Sequence, residues 1–270
     1  KVIVKSDSRD QALKKLNKTL SKIELFGSET NLDYLQKLIK DPVVKTGQVT
    51  TQYLNQFEYQ PTRIEVQSPG TQTTIQDYPG RVGYWHVGVP PSGPFDSYSF
   101  RLANRSLGND EASSALEITL QGPVLKFGAD AKIVVTGASL DVNLDQKPMP
   151  MWNVINVTAG QTLSLGRVKE QGARAYLAID GGFDVPSYLG AQSTFTLGKF
   201  GGHNGRALRA GDVLRYRCST HNQVMMVPKI LQPNLGDTYE LRVIYGPHGS
   251  PDYFTDQDIT RFFETDWEVH

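Results

Sequence analysis

The sequence predicts an α+β protein in which β structure dominates. From residue 64 onward, short runs of β-branched and aromatic residues recur at close spacing, with turn residues between them, a pattern typical of a sandwich or barrel. Before residue 58 the chain is rich in lysine and its leucines show helical periodicity. We therefore predict a small α+β part over residues 1–57, a linker at 58–63 and a mainly antiparallel β region over 64–270.

The N-terminal part is predicted to contain one strand and two helices. Residues 2–4 form a short β-branched run, which indicates a buried strand. Apolar residues at spacings of three and four between residues 13 and 23 predict an amphipathic helix, preceded by capping candidates at residues 6–8. A second helix is expected to begin after Thr30 or Asn31. It should end at Asp41, because the residue before a proline avoids helical dihedral angles.

The β region is predicted to contain many short strands and two helices. One helix should begin after Asp96, a good N-cap residue, and run to Leu107. Another should begin near Thr255, where Asp258 completes an imperfect capping box. The strand runs lie at residues 64–66, 116–120, 124–127, 132–137, 141–144, 163–166, 175–179, 212–216 and 240–245.

Composition excludes several kinds of function. Lysine plus arginine and aspartate plus glutamate number 28 each, so the chain carries no net charge, which argues against a nucleic acid or an anionic membrane as its main partner. The only cysteine, Cys218, rules out an internal disulfide and fits the cytoplasm. The histidines show no metal-ligand spacing, so no metal site is predicted. Residues 198–206 resemble a phosphate-binding loop superficially, but a glycine-rich turn between strands is the favoured interpretation.

The segment Thr73–Asn104 is the most informative part of the chain. Its glycines and prolines break it into turns, among which several polar residues are placed. Polar groups on tightly bent backbone can be aimed at a small ligand. The alternative is a polar loop whose charges face water, and composition alone favours that alternative.

Three long stretches of the β region resemble the biotin-dependent carboxyltransferases once called allophanate hydrolase subunit 2. They read PGTQTTIQDYPGRVGYWHVGVPPSGPFD, LANRSLGNDEASSALEITLQGP and GARAYLAIDGGFDVPSYLGAQSTFTLGKFGGHNGRALRAGDVL. The N-terminal stretches KVIVKSDSRDQALKKLNKTL and IELFGSETNLDYLQKLIKDP resemble the end of biotin carboxylases. This order is that of urea carboxylases, including the fungal urea amidolyases that carry an additional hydrolase.

The resemblance implies a fold and a domain arrangement. Residues 1–57 would be a C-terminal fragment of a biotin carboxylase domain, and residues 64–270 the first part of a carboxyltransferase domain. The β region would be a cyclophilin-like antiparallel barrel, incomplete at its C-terminal end. The biotinyl carrier domain, the subunit 1-like domain and the catalytic part of the biotin carboxylase would lie elsewhere in a longer polypeptide, so this segment alone is expected to be inactive.

The resemblance also implies a reaction. The full enzyme would carboxylate biotin with ATP, Mg and bicarbonate, and then move the carboxyl group to urea, giving allophanate. Guanidine or another amide is left open as the acceptor. Two other functions remain: a barrel of the 5-oxoprolinase-subunit or kinase-inhibitor-antagonist type without biotin chemistry, and a non-catalytic scaffold between carboxylase domains. The fused biotin carboxylase end favours the carboxylase.

The matching motifs supply the candidate site residues. Arg81 would face a carboxylate or, alternatively, bridge to Asp77 or Asp96. Glu117 is a carboxylate inside an apolar strand; if it points inward it should pair with a cation such as Arg81 or Arg101, and the alternative is an edge-strand position that faces solvent. Asp96 fits a helix cap better than a catalyst. The predicted catalytic residues are Arg81, Asp77 and Glu117, and the predicted substrate-binding residues are Gln76, Ser92, Gly93, Asp96 and Asn104.

Overall fold

A computed structural model describes residues 1–23, 25, 30–169, 171–217, 225–236, 238–249 and 252–267. The chain divides into two compact units, Lys1–Leu235 and Gly236–His270. The first unit contains the N-terminal helices and both β-sheets, and the second contains a further helix. Among the described residues, no helix is both long enough and apolar enough to cross a membrane.

The first unit begins with three short helices, α1 (Arg9–Leu20), α2 (Leu32–Leu38) and α3 (Pro42–Thr46). The Ser8 side chain caps α1 by accepting a hydrogen bond from the Gln11 amide. Asp41 ends the turn after α2 and also caps α3, because its carboxylate accepts from the amides of Val43 and Val44. Both predicted helices are confirmed, whereas α3 was not predicted. The helices share a small core of Leu20, Leu32 and Ile39.

The predicted strand at residues 2–4 is wrong. Residues 1–6 have no regular secondary structure, and the side chain of Ile3 is 77% exposed. A β-branched run forms a strand only where a neighbouring strand accepts its backbone hydrogen bonds and covers one face. No described strand lies beside this run, so the local preference has nothing to pair with.

The β region forms two antiparallel sheets. The strands are β1 (Arg63–Ser68), β2 (Gln72–Gln76), β3 (Ala115–Thr119), β4 (Val124–Phe127), β5 (Ala131–Gly137), β6 (Leu140–Leu144), β7 (Lys147–Pro148), β8 (Val154–Val157), β9 (Thr162–Val168), β10 (Arg174–Ile179) and β11 (Val213–Arg215). In the six-stranded sheet the strand order is β11-β1-β4-β9-β6-β7, and in the five-stranded sheet it is β2-β3-β10-β5-β8.

One apolar core joins the two sheets. Val66 and Leu163 from the six-stranded sheet and Leu116 and Leu177 from the five-stranded sheet belong to the same buried cluster. The mainly β, antiparallel fold predicted from the sequence is thus confirmed. The described strands hydrogen-bond as two separate sheets, so their ladders do not close into a continuous barrel.

Helix α4 (Ser97–Ser106) covers the outer face of the five-stranded sheet. Its Phe100 and Ala103 pack with Tyr176 and Ala178 of β10 in a second buried cluster. Residues 175–179 of β10 are therefore buried continuously instead of alternately. This packing fixes the start of α4, which carries the predicted cap Asp96.

Removal of the α4 cap should destabilise the protein measurably. The Asp96 carboxylate accepts from the Ser99 amide at 3.0 Å, and loss of such a cap costs about 1 kcal/mol. We expect Asp96→Ala to lower the free energy of unfolding by that amount in urea titrations. Asp96→Asn keeps a capping oxygen and should lose less than half as much. Equal losses in the two variants would contradict the capping role.

Residues 240–245 and strand β2 also differ from the predicted strands. Residues 240–245 were predicted as a strand but have no regular structure, and Ile244 is 94% exposed. Strand β2 was not predicted because Gln72–Gln76 has no alternating apolar face. It is nevertheless mostly buried, because β3 pairs with it and the amides of Thr194 and Leu208 donate to its carbonyls at Ile75 and Thr73.

The second unit contains α5 (Asp256–Glu264). Thr255 and Asp258 form a complete capping box, in which each side chain accepts from the backbone amide of the other residue. The helix predicted near Thr255 is therefore confirmed, and a local capping signal was sufficient to find it.

Candidate functional site

Asp77 ties the end of β2 to a loop that is more than a hundred residues away in sequence. Its carboxylate accepts from the Gln192 amide at 2.8 Å and from the Ser193 hydroxyl. Its own amide donates to the Ser193 hydroxyl oxygen at 3.0 Å. The side chain and the backbone of one residue together fix the loop at 191–194.

Arg81 is the most completely engaged side chain of the segment, and only 1% of its surface is exposed. Its guanidinium donates to the carbonyl of Tyr188 at 3.0 and 3.1 Å, to that of Ser193 at 3.0 Å and to that of Ala191 at 3.4 Å. The Phe200 ring centroid lies 4.8 Å from the guanidinium carbon. Burial lowers the pKa of Arg81, although nearby Asp77 opposes the shift.

Arg81 thus binds backbone carbonyls and not the predicted carboxylates. The sequence suggested a bridge from Arg81 to the carboxylate of Asp77 or Asp96, and this is wrong. The guanidinium donates instead to three carbonyl groups of a distant loop and to the Ser92 hydroxyl, the latter at 2.9 Å. A planar group with five donors suits such a cluster of acceptors. The geometry indicates that Arg81 holds two loops together.

Ser92 and Gly93 lie against the turn that carries Arg81. Arg81 and Ser92 exchange both backbone hydrogen bonds, at 2.8 and 3.1 Å. The two backbone segments cross so closely that a Cβ on Gly80 would lie 1.7 Å from the Ser92 carbonyl oxygen, and one on Gly93 would lie 2.8 Å from the Pro79 oxygen. Both glycines also have positive φ, +84° and +153°. Close approach and backbone conformation therefore both require glycine here.

Gln76 and Asn104 are buried, and their side chains form hydrogen bonds with nearby residues of the fold. The Gln76 amide nitrogen donates to the Thr74 hydroxyl at 3.0 Å, while its Oε1 has no partner among the described residues. The Asn104 amide donates to the Ser113 carbonyl at 2.8 Å, and its oxygen accepts from Asn109. Asn104 lies on α4 and contacts none of the other predicted site residues in these hydrogen bonds.

Glu117 organises a second cluster. Its Oε2 accepts from the Phe95 amide at 2.7 Å and from the Tyr176 hydroxyl at 3.0 Å. Its cationic neighbour is Arg174, with a distance of 3.9 Å between Nε and Oε1. The predicted partners were wrong: the Arg81 guanidinium binds the distant loop, and Arg101 pairs with Glu111.

Tyr176 connects this cluster to the helix cap. Its hydroxyl oxygen accepts from the Asp96 amide at 2.7 Å while its proton goes to Glu117. Burial and the negative charge of Glu117 raise the pKa of Tyr176, so the hydroxyl stays protonated and keeps both hydrogen bonds. Two consecutive amides, those of Phe95 and Asp96, are thereby held by the mostly buried Glu117 and the buried Tyr176.

The Phe95 residue, whose amide donates to Glu117, has a side chain that is exposed to solvent. The Phe95 side chain is 82% exposed, with its ring centroid 5.2 Å from the Arg174 guanidinium carbon. Val82, Trp85 and Val87, in the same segment, are also more than half exposed. An exposed apolar group of this kind is typical of a surface that another part of a protein covers.

The eight predicted residues therefore separate into two clusters and one outlier. Gln76, Asp77, Arg81, Ser92 and Gly93 surround the junction with the loop at 188–194, Asp96 and Glu117 belong to the Tyr176 cluster, and Asn104 lies apart. Sequence reasoning missed the residues Tyr176, Arg174, Tyr188 and Ser193. In the described part of the chain, no three histidine, cysteine, aspartate or glutamate side chains are grouped as metal ligands.

Comparison with protein families gives two matches in succession. Residues 1–56 match the biotin carboxylase C-terminal domain, and residues 87–270 match the carboxyltransferase domain, subdomain A and B. The second match covers well over half of the chain.

Individual proteins agree with this order. The urea amidolyase of Saccharomyces cerevisiae is 47% identical over the whole chain. A crystal structure of the urea carboxylase of Kluyveromyces lactis superposes on 97% of the chain with a TM-score of 0.89 and 45% identity. A 5-oxoprolinase subunit of Escherichia coli is 38% identical over 56% of the chain and 48% of its own length.

The chain spans only 15% of the length of the yeast urea amidolyase and 24% of the urea carboxylase chain in the crystal structure. The family match, the high TM-score and the identity to these relatives lead to one conclusion. This chain belongs to the family of the carboxyltransferase domain, subdomain A and B, and its residues 1–56 match the biotin carboxylase C-terminal domain.

Proposed function

We propose that this chain is part of a biotin-dependent urea carboxylase. The observation that carries the proposal is the succession of a biotin carboxylase end and a carboxyltransferase region in one chain. Matches named urea amidolyase or urea carboxylase span the whole chain, whereas the match to the 5-oxoprolinase relative spans 56% of it. This difference favours the carboxylase over a barrel without biotin chemistry.

In this proposal the region 64–270 takes part in moving the carboxyl group from carboxybiotin to urea, which gives allophanate. ATP, Mg and bicarbonate act at a biotin carboxylase site outside this chain, and the biotinyl carrier and subunit 1-like domains belong to the same polypeptide. Residues 1–57 are the end of the biotin carboxylase domain. We place the enzyme in the cytoplasm, which fits a chain with a single cysteine.

The hydrogen bonds of Arg81 and Asn104 within the protein argue against these two side chains as direct ligands of carboxybiotin. When bound, carboxybiotin would supply the activated carboxyl group, and its ureido oxygen would need free hydrogen-bond donors. The Arg81 donors go to backbone carbonyls and the Ser92 hydroxyl, and the Asn104 amide donates to Ser113. We infer that Arg81, Asp77 and Glu117 are positioning residues, which set the backbone of the segment Thr73–Asn104.

Two half-reactions of the complete carboxylase test the proposal. Arg81→Lys keeps the charge but not the planar fork, so the loops should shift by a fraction of an ångström or more. A misplacement of about 1 Å can cost roughly 100-fold in rate. We expect kcat for the urea-dependent half-reaction to fall by about that factor, while ATP-dependent carboxylation of free biotin is unchanged. Arg209→Lys, at an exposed position, is the matched control.

Each failure has a distinct meaning. A wild-type enzyme that carboxylates biotin but transfers nothing to urea would refute urea as the acceptor, and guanidine and other amides would be tried next. Equal urea-dependent rates in the Arg81→Lys and Arg209→Lys enzymes would refute the positioning role and leave the proposed reaction standing.

A further inference from the structure

A cavity of about 860 Å³ lies between the N-terminal helical part and the β region of the first unit. Thr30, Tyr34 and Tyr59 line it on one side, and residues 184–188, 199–205 and 211–215 line it on the other. Small-molecule sites commonly measure roughly 300–1,000 Å³. None of the eight residues predicted from the sequence lines the cavity, but Tyr188 and Phe200 belong both to its wall and to the surroundings of Arg81, so the cavity adjoins the candidate site.

The carboxylates at the cavity wall are all paired with arginines. Three carboxylates line it, and an arginine neutralises each one: Asp33 with Arg215 at 3.4 Å, Asp184 with Arg217 at 2.8 Å, and Asp212 with Arg206 at 2.7 and 2.8 Å. Lys199 also lines the cavity; its side chain is exposed and has no ion-pair or hydrogen-bond partner within the described ranges. A wall with paired acids and an unpaired ammonium group attracts anions.

The backbone beside Lys199 adds hydrogen-bond donors. In the described part of the chain, the amides of His203 and Asn204 donate to no acceptor, although their neighbours Gly202 and Gly205 do. Asn204 has φ of +57° and His203 does not have positive φ. Where a right-handed residue precedes a left-handed one, successive N–H groups can turn toward a common point, which is the geometry of anion-binding concavities.

The half-buried Asp212 carboxylate holds this loop in place. The Asp212 carboxylate accepts from the Arg206 guanidinium and from the Arg209 amide, and it lies 3.4 Å from His203 Nε2. Burial alone would raise the pKa of Asp212, but the hydrogen bonds from Arg206 and Arg209 lower it overall. Burial lowers the pKa of His203, so the imidazole is neutral at pH 7. The loop is therefore fixed before any ligand arrives.

We propose that this cavity binds a small oxyanion, a carboxylate or a phosphate group, through the Lys199 ammonium and the amides of His203 and Asn204. The proposal goes beyond the carboxylase function and does not depend on it. The cavity lies where the two family regions meet, so an occupant would contact both. The glycine-rich turn at residues 198–206 would then bind an anion as well as connect elements.

Isothermal titration of the chain with inorganic phosphate and, separately, with acetate tests the site at constant ionic strength. Amide spectra of glycine-¹⁵N-labelled protein locate the binding, since Gly201, Gly202 and Gly205 belong to the loop. We expect saturable binding and shifts of these three signals. Loss of one charge-assisted contact should weaken binding about tenfold in Lys199→Gln. Lys147→Gln, at an exposed hairpin position, should bind as the wild type does.

The two anions separate the possible sources of the group. Binding of both supports a general oxyanion site, and binding of phosphate alone or acetate alone assigns the chemical type. Asn204→Gly keeps the amide and tolerates the left-handed conformation, so it should fold and bind within about twofold of the wild type. No saturable binding of either anion up to about 10 mM, where a Kd near 1 mM is readily detected, would overturn the proposal. Equal affinities in Lys199→Gln and Lys147→Gln would also overturn it.

Discussion

Substitution of Arg81 by alanine is expected to lower the free energy of unfolding by about 3 kcal/mol. The buried guanidinium satisfies the carbonyls of Tyr188, Ala191 and Ser193 and the Ser92 hydroxyl. Hydrogen bonds to charged groups contribute roughly 1.5–3 kcal/mol each, and unsatisfied buried acceptors carry a similar penalty. Water entering the vacated space would offset part of the sum, so we expect a loss nearer to that of one or two such bonds.

Chemical denaturation with urea measures this loss directly. Arg209→Ala removes an equally long cation from an exposed position and leaves the Arg209 amide bond to Asp212 intact. It should change stability by less than about 0.5 kcal/mol, as is usual for surface substitutions. If Arg81→Ala were no more destabilising than Arg209→Ala, the loop at 188–193 would not depend on the guanidinium.

Substitution of Gly80 by alanine should cost at least about 3 kcal/mol. The residue has φ of +84°, and a new Cβ would lie 1.7 Å from the Ser92 carbonyl oxygen. A left-handed conformation alone costs an alanine about 1–2 kcal/mol. The steric overlap comes in addition, because the backbone pairing of Arg81 with Ser92 must open to relieve it.

Gly83 provides a close control for the steric part. Its φ is +91°, but a Cβ built there meets no atom within 4 Å. Gly83→Ala should therefore show only the conformational cost, about 1–2 kcal/mol. The difference between the two free energies of unfolding measures the steric cost that arises from the close approach of the two backbone segments. Similar losses of free energy of unfolding in Gly80→Ala and Gly83→Ala would show that the two backbone segments separate without cost.

Local signals in the sequence were enough to find most helices. Ser8, Asp96 and Thr255 each cap a helix at or beside the predicted residue, because a cap depends on atoms within three or four positions. The failures are strands: residues 2–4 and 240–245 have β-type composition but no partner strand among the described residues. Strand β2 shows the converse, since its neighbours supply both the ladder and the burial.

The candidate site could be located from the sequence but not assembled. Glycines, prolines and polar residues in one segment marked Asp77, Arg81 and Ser92, which the structure brings together at one junction. Their partners at Tyr188 and Ser193 belong to a loop with no recognisable polar motif. Likewise, Glu117 was singled out as a carboxylate in an apolar strand, but only the strand register, which places Tyr176 opposite it, shows what it binds.

The long sequence separation within the Asp77 and Arg81 junction has a consequence for how the protein folds. Its hydrogen bonds to the loop at 188–193 join residues 107 to 116 positions apart, so they form only at the entropic cost of closing a very long loop. Contacts of this range slow folding. The junction is thus expected to be completed after the central strand pairing of β3 with β10, and ribosomal synthesis must reach residue 193 before it can close fully.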